Sequence, residues 1–416
     1  MGKSERKYRA THPWITFELD LRTLPGELWM LLGEAHSKCD HLKGVPLRPE
    51  VAKELHLVYL AKGVLATTAI EGNTLSEEQV AKHLEGKLEL PPSKEYLRQE
   101  IDNVLKACNI VWDHVLAGTK TPLTADVVKS FNKLVLNGLS MADEVVPGAV
   151  RGHSVGVARY KGPPAEDCEY LLDRLCRWLD ELADASRGMA WASAMPVLRA
   201  ALAHLYIAWI HPFGDGNGRT ARLVEFSILV HAGIPTPAAH LLSNHYNETR
   251  TEYYRQLDRA SRSGGDIVPF LVYAVQGFVD GLKDQIERIR EQQLDITWRN
   301  YVYELFKHRE SAANTRQRNL VLELSRKPRP EGYTPFEIRD ITPRVAREYS
   351  QKSLRTLVRD LNALATMRLL VTTPRGFAAN TDIIKAFLPR AADDGPPPRV
   401  EDASEADDGD APAARS

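Results

Sequence analysis

The sequence predicts a mainly α-helical core bearing one small β-hairpin, followed by a smaller helical module closed by a second hairpin. Three observations carry this: apolar residues at helical spacing from about 50 to 293, one glycine-flanked alternation at 150–164, and a change of pattern beyond about 297. With 416 residues, 43% of them hydrophobic and 26% charged, the chain can fill two or three domains. The net charge of -1 gives no global attraction to nucleic acid or membrane, so any polyanion must be met by a local patch.

In chain order, Pro49–Ile70 places Val51, Leu55, Val58, Val64 and Leu65 at helical spacing, and Gly72-Asn73 ends that helix directly after Glu71. Further helices are predicted at about 94–117, 124–137, 165–186, 196–210, 218–231, 246–262 and 266–293. Between them, His153, Ser154, Val155, Gly156, Val157, Ala158, Arg159 and Tyr160 read as an exposed strand or hairpin able to offer an edge to a guest strand, or as an ordinary surface turn. The run Val197–Ile210 is short for a bilayer and contains Arg199 and His204, so it reads as a core helix; no membrane segment is expected. Cys39, Cys108, Cys168 and Cys176 form no CxxC pair and read as small buried residues. The opening MGKSERKYRATHPW has no apolar signal core, and a cytoplasmic location is the expectation.

Beyond 297 come helices at 298–309, through Leu320–Leu324 and at 350–367, with Tyr333–Asp340 between, then Leu369–Val371, a Pro374-Arg375-Gly376 turn and Phe377-Ala378. Helix, helix, helix, hairpin is the order of a winged helix. Residues 391–416 hold eight acidic and two basic side chains and are too polar to bury a core; they are expected to be disordered.

Function is concentrated in His211-Pro-Phe-Gly-Asp-Gly-Asn-Gly-Arg-Thr-Ala-Arg222. An apolar helix delivers His211 into a glycine-rich turn at the N-terminus of the next helix. There Gly214, Gly216 and Gly218 let the backbone approach an anion, and the helix dipole favours negative charge. Asp215 is wrong for a bare phosphate but suits Mg²⁺ bridging carboxylate and phosphate. The Asn217 amide can donate to phosphate, and Arg219 and Arg222, three apart, can clamp more of a triphosphate. His211 then serves as general base for an incoming hydroxyl; the bland alternative is a capped turn or a helix-end metal pair.

These residues match, at every fixed position, the signature HxFx(D/E)GNGRxxR, and the chain resembles the Fic family over about 10–290. The resemblance implies a helical Fic core and AMP transfer from ATP to a Ser, Thr or Tyr hydroxyl of a target protein, self-modification included. It implies His211 as base, Asp215 on Mg²⁺, the turn amides and Asn217 on phosphate, Arg219 and Arg222 on the β and γ phosphates, and Phe213 as the loop's anchor. It also makes 153–160 a target-docking flap and places Tyr246 and Asn247 at the adenine.

Thr67-Thr-Ala-Ile-Glu71-Gly72 by itself is a Glu near a turn, though a carboxylate at a helix end calls for a cationic partner. It resembles the family's inhibitory motif (S/T)xxxE(G/N), which implies that Glu71 pairs with Arg222; in some relatives the same Glu instead serves removal of AMP. The organisation expected is an N-terminal segment 1–90 with its inhibitory helix at about 50–72, a catalytic core 91–295, a winged-helix domain 296–390 and the tail. Lys352, Arg355 and Arg359 form a basic stripe on the 350–367 helix, either a solvated face or a surface for DNA or a protein, with homodimerisation also open. The rival from another class is a nucleotide-sensing, DNA-binding regulator, which needs phosphate groups but no base.

Overall fold

The computed structural model describes residues 6–119, 122–157, 160–189, 191–309 and 311–385. Two compact units divide between Glu287 and Arg288. The first ninety residues therefore pack with the core they precede, and the division falls eight residues before the position expected from the change of pattern.

The helices of the first unit are α1 (Tyr8–Thr11), α2 (Gly26–Gly44), α3 (Pro49–Ala69), α4 (Glu77–Leu84), α5 (Glu95–Leu116) and α6 (Ala125–Val135). A hairpin, β1 (Gly156–Val157) and β2 (Tyr160–Lys161), leads to α7 (Ala165–Ser186), α8 (Met195–Ile210), α9 (Asn217–His231), α10 (Thr236–Ala239), α11 (Leu241–Glu248), α12 (Arg250–Arg262) and α13 (Val268–Phe306). Most predicted helices stand within a few residues, but those predicted at 266–293 and 298–309 are one continuous helix, α13. The single helix predicted at 246–262 is broken at Thr249, whose non-helical backbone separates α11 from α12.

Of the helices that were not predicted, two run to eight residues or more. Helix α2 buries Leu28, Leu31, Leu32, Ala35 and Cys39, spaced at three and four, but begins after Pro25 without a side-chain cap. Helix α4 opens with a Ser76/Gln79 capping box, in which each residue's side chain bonds the other's backbone N–H.

Helix α8 runs through the core. Leu198, Ala200, Ala201, Leu202, Ala203, Leu205, Ile207 and Ile210 are fully buried, and α7 and α9 pack against it. Each buried leucine or isoleucine contributes roughly 1.5–3 kcal/mol from burial alone. The stretch 192–210 is the one long and apolar enough to cross a membrane among the described residues, and 78% of it is buried inside the unit. All four cysteines are free and buried, as expected, and burial pushes the Cys39, Cys108 and Cys176 thiols up to about 12.

In the second unit the end of α13 packs Trp298, Val302 and Phe306 against α14 (Ala312–Ser325), α15 (Pro335–Arg339), α16 (Pro343–Tyr349) and α17 (Leu354–Thr366). Strands β3 (Leu370–Thr373) and β4 (Gly376–Ala379) pair antiparallel with Leu370 opposite Ala379. Tyr333, between α14 and α15, exchanges two backbone hydrogen bonds of 2.9 Å with Phe377, extending the hairpin by one residue. The acidic segment 391–416 lies outside the described residues.

Candidate active site

Helix α8 ends at His211, whose backbone is left-handed at φ 46°, ψ 57°, while its N–H still bonds the Ile207 carbonyl at 2.8 Å. A non-glycine residue in this region costs on the order of 1–2 kcal/mol and persists only where its surroundings enforce it. Arg151, 4% exposed, does so. Its Nε donates to the His211 carbonyl at 2.8 Å, its backbone N–H to the Pro212 carbonyl at 2.9 Å, and its two terminal nitrogens to the His153 and Pro163 carbonyls at 2.7 Å. One side chain thus joins the catalytic loop to both ends of the hairpin. Nothing in the sequence distinguished this arginine from a surface one.

The turn itself is tightly braced. Phe213 is buried, as an anchor must be. Asn217 accepts from the Phe213 N–H at 2.9 Å and donates to the Phe213 carbonyl at 2.8 Å. Both ends of the amide hold the loop's shape, and the NH2 has a second N–H for the expected donation to phosphate. Gly216, with φ at 73°, precedes α9 in a conformation that glycine adopts without cost, and its N–H bonds the Asp215 carboxylate. Asn132 holds the Asp215 carbonyl at 2.9 Å, and the Asp215 side chain is half exposed.

His211 keeps a ring N–H on the Ala208 carbonyl. Burial, aided by the positive charge of Arg151, pushes its pKa down to about 4 against the opposing pull of that hydrogen bond, Glu71 and Asp215. The ring is neutral at pH 7, as a proton acceptor needs.

Both arginines of the loop are paired. Arg219 donates from Nη1 to Glu100 at 2.8 Å and lies 3.5 Å from Asp215. Arg222, fully buried, donates from Nη2 to Glu71 at 2.5 Å and to the Thr67 carbonyl at 3.0 Å, while its Nε and Nη1 are buried without a hydrogen-bond partner. Burial works against charge on Glu71 and on Arg222, yet each stabilises the other's ion. The Glu71 carboxyl is held below its usual range and Arg222 above its own. The carboxylate of Glu71 rests against Gly218 so closely that a Cβ there would collide with it. An internal anion thus sits in the first turn of α9, where the helix dipole favours negative charge.

Thr67 is buried and bonds back to the Gly63 carbonyl at 2.9 Å; Gly72, at φ 106°, ends the helix. Asn73 donates to the Leu97 carbonyl and to Glu100, each at 2.9 Å, so Glu100 bridges the segment after α3 to Arg219. Glu100 was missed because a mid-helix glutamate carries no local signal.

The predicted hairpin is present: Gly156 faces Lys161 and Val157 faces Tyr160 across β1 and β2, with His153 beside Gly214, and Ser154 and Val155 leading in. Ala158 and Arg159 lie outside the described residues. The Tyr160 side chain points inward, its phenol donating to the Trp209 carbonyl at 2.6 Å, which anchors the hairpin while its backbone stays part of the β2 edge.

Tyr246 is also corrected. It is fully buried, stacked on Tyr253 and Tyr273, and donates to Glu225, whose other oxygen lies 3.1 Å from His204, so no base can reach it. An aromatic on an amphipathic helix belongs to the core by default, and here it does. Asn247 is half-buried beside it. The open aromatic near the site is Tyr254, 42% exposed, with its hydroxyl 3.4 Å from the Ile70 carbonyl.

The mainly helical core thus ends one helix on His211 and begins the next at a glycine-braced turn holding the Glu71 carboxylate. Residues 122–229 match the Fic/DOC family, so a Fic domain surrounds the His211–Arg222 loop. It is 32% identical over 237 residues to protein adenylyltransferase fic-1 of Caenorhabditis briggsae, covering 57% of this chain and 42% of that protein. A solved structure of Fic-1 from C. elegans superposes with a TM-score of 0.52 at 27% identity, over 64% of this chain and 73% of that one. A Fic family protein from Desulfovibrio desulfuricans shares the fold at TM-score 0.52 and 21% identity, over 82% and 91%. The chain spans about half the length, or less, of the curated relatives it matches, 42% to 53% for the first three.

Proposed function

We propose that this chain transfers AMP from ATP to a hydroxyl of a protein and holds itself inactive through Glu71. The observation that carries this is the Glu71 carboxylate lying in the first turn of α9, 2.5 Å from Arg222. A chain that seats its own anion at a phosphate-binding helix end both marks that end as an anion site and closes it.

With Glu71 withdrawn, Arg222 and the α9 N-terminus are open to the outer phosphates. The free ring nitrogen of His211 takes the proton of the target hydroxyl as its oxygen bonds the α phosphorus; the bond from that phosphorus to pyrophosphate breaks, and pyrophosphate leaves. The hairpin β1–β2, fixed through Arg151 and Tyr160, offers the edge on which a target segment lies. Tyr254 is the ring available to the base. The single half-exposed carboxylate of Asp215 fits Mg²⁺, which takes one or two carboxylates and fills its shell with phosphate oxygens and water. When bound there, the ion would neutralise phosphate charge.

The test uses ATP labelled at the α or the γ phosphate. Glu71→Gly is expected to raise covalent labelling of protein from α-labelled ATP about 10- to 100-fold, the worth of a charge-assisted pair, with none from γ-labelled ATP. Labelling from γ would mean phosphate transfer, and equal labelling with and without Glu71 would remove the inhibitory role. Loss of label from a modified protein on adding the wild-type chain would support the reverse reaction.

A further inference from the structure

Helices α16 and α17 are joined by a four-residue turn, 350–353, in which Ser353 caps α17 by accepting from the Thr356 N–H. Residues 288–385 hold nineteen Lys and Arg against eleven Asp and Glu, a net charge of +8 in a chain whose total is -1. What matters is how those charges are sorted. Of the two carboxylates of the α16–α17 segment, Asp360 is fully buried on Arg316, Gln317 and the Tyr349 hydroxyl at 2.8, 3.0 and 3.0 Å, and the half-buried Glu348 accepts from Asn319 at 2.7 Å and from Arg344 at 3.4 Å. The cations face outward, with Arg344, Arg347, Lys352, Arg355 and Arg359 all exposed.

On α17 the buried positions are Leu357, Asp360, Leu361, Leu364 and Ala365, so Arg355, Arg359 and Asn362 at intervals of four and three share the opposite face. The Tyr349–Asp360 hydrogen bond locks α16 to α17 behind that face. A rigid helix with two arginines and an asparagine on one open stripe, preceded by a turn carrying Lys352, matches what the major groove reads and what its phosphates attract. At the tip of the β3–β4 hairpin Arg375 is paired with Glu337 at 2.9 Å and is not part of this surface. Tyr333, paired with Phe377, stands where the first strand of a winged helix stands, between its first and second helices.

We infer that the second unit binds duplex DNA, with α17 in the major groove and Lys352 and the α16 arginines on the flanking phosphates. A protein partner fits less well, because the exposed face is of one sign and the apolar side chains of α17 are turned inward.

The experiment measures binding of the full chain to a labelled duplex of about two helical turns at several salt concentrations. With about five phosphate contacts, affinity is expected to fall on the order of 10²- to 10³-fold between 50 and 200 mM salt. Lys352→Glu combined with Arg359→Glu is expected to weaken binding at least tenfold and to lower the salt slope by about 2, with AMP transfer by the Glu71→Gly chain unchanged. Absence of binding at 50 mM salt, binding the double variant retains, or displacement of the duplex by a protein rather than by unlabelled DNA would each overturn the inference. Because the readout is binding, its failure is independent of the proposed transfer activity.

Discussion

The two arginines of the loop stand three positions apart and each is held by a glutamate, but the two pairs are built differently. Arg219 meets Glu100, which stands within the regular helix α5, is braced by Asn73, and shares the arginine with Asp215. Arg222 meets Glu71, which stands just past the end of α3 and keeps a third of its side chain open, while two nitrogens of the arginine go unpartnered. A carboxylate at a helix end, next to a glycine at φ 106°, can leave by rotating a few backbone bonds; one in mid-helix cannot. The pairs thus differ in how they are held, and the proposed inhibition assigns Glu100 to the frame and Glu71 to the moving part.

The largest effect should come from the proposed base, His211. In the Glu71→Gly chain, adding His211→Ala is expected to lower transfer of α-labelled AMP about 10²- to 10⁴-fold, the usual contribution of a general base. Residual transfer within tenfold of the parent would show that the arginines, rather than the histidine, carry the chemistry.

The comparison itself is tested by substituting each glutamate alone. Where Glu71→Gly activates 10- to 100-fold, Glu100→Gln is expected to leave basal transfer within about twofold and instead lower stability by about 3 kcal/mol, since it strands a largely buried arginine. Thermal unfolding and α-label incorporation, measured on both variants, separate the two outcomes. Activation by Glu100→Gln without a loss of stability would make it a second inhibitory residue.

How much of this could be read from the chain depends on how local each feature is. Helix α7, the α8–loop–α9 arrangement and the end of α3 at Gly72 follow from periodicity and glycines, and appear where expected. Helix α2 lacks a cap to announce it. Glu100 and Arg151 each act across more than fifty residues of sequence, so neither has a neighbour that hints at its role. Tyr246 misled because a motif-like position does not say which face of its helix turns to the core.

A smaller effect is expected at the latch that holds the end of α3. Arg250, at the start of α12, donates to the Ala69 carbonyl at 3.3 Å and also to the Ile70 carbonyl, which Tyr254 reaches as well. These carbonyls close a helix C-terminus, where a cation is favourable. Arg250→Ala, removing about 0.5–1 kcal/mol of this hold, is expected to raise basal AMP transfer about two- to fivefold, and Arg250→Lys less. No change in either variant would place the whole restraint on Glu71 and Arg222.

The smallest effect separates the histidine from an ordinary one. A histidine with pKa near 6.5 would be mostly protonated at about pH 5.5 and would lose roughly tenfold in base-catalysed rate there. Burial holds His211 at about 4, and the negative charge of Glu71 is among the influences raising it, so Glu71→Gly moves it further down. Protonation is lost as pH rises through that value, so the neutral base prevails at every pH above it. Initial rates of the Glu71→Gly chain should therefore stay within about twofold between pH 7.5 and 5.5. A tenfold fall across that interval would mean that the ring is open to water in the active state, and that withdrawing Glu71 uncovers the histidine as well as freeing Arg222.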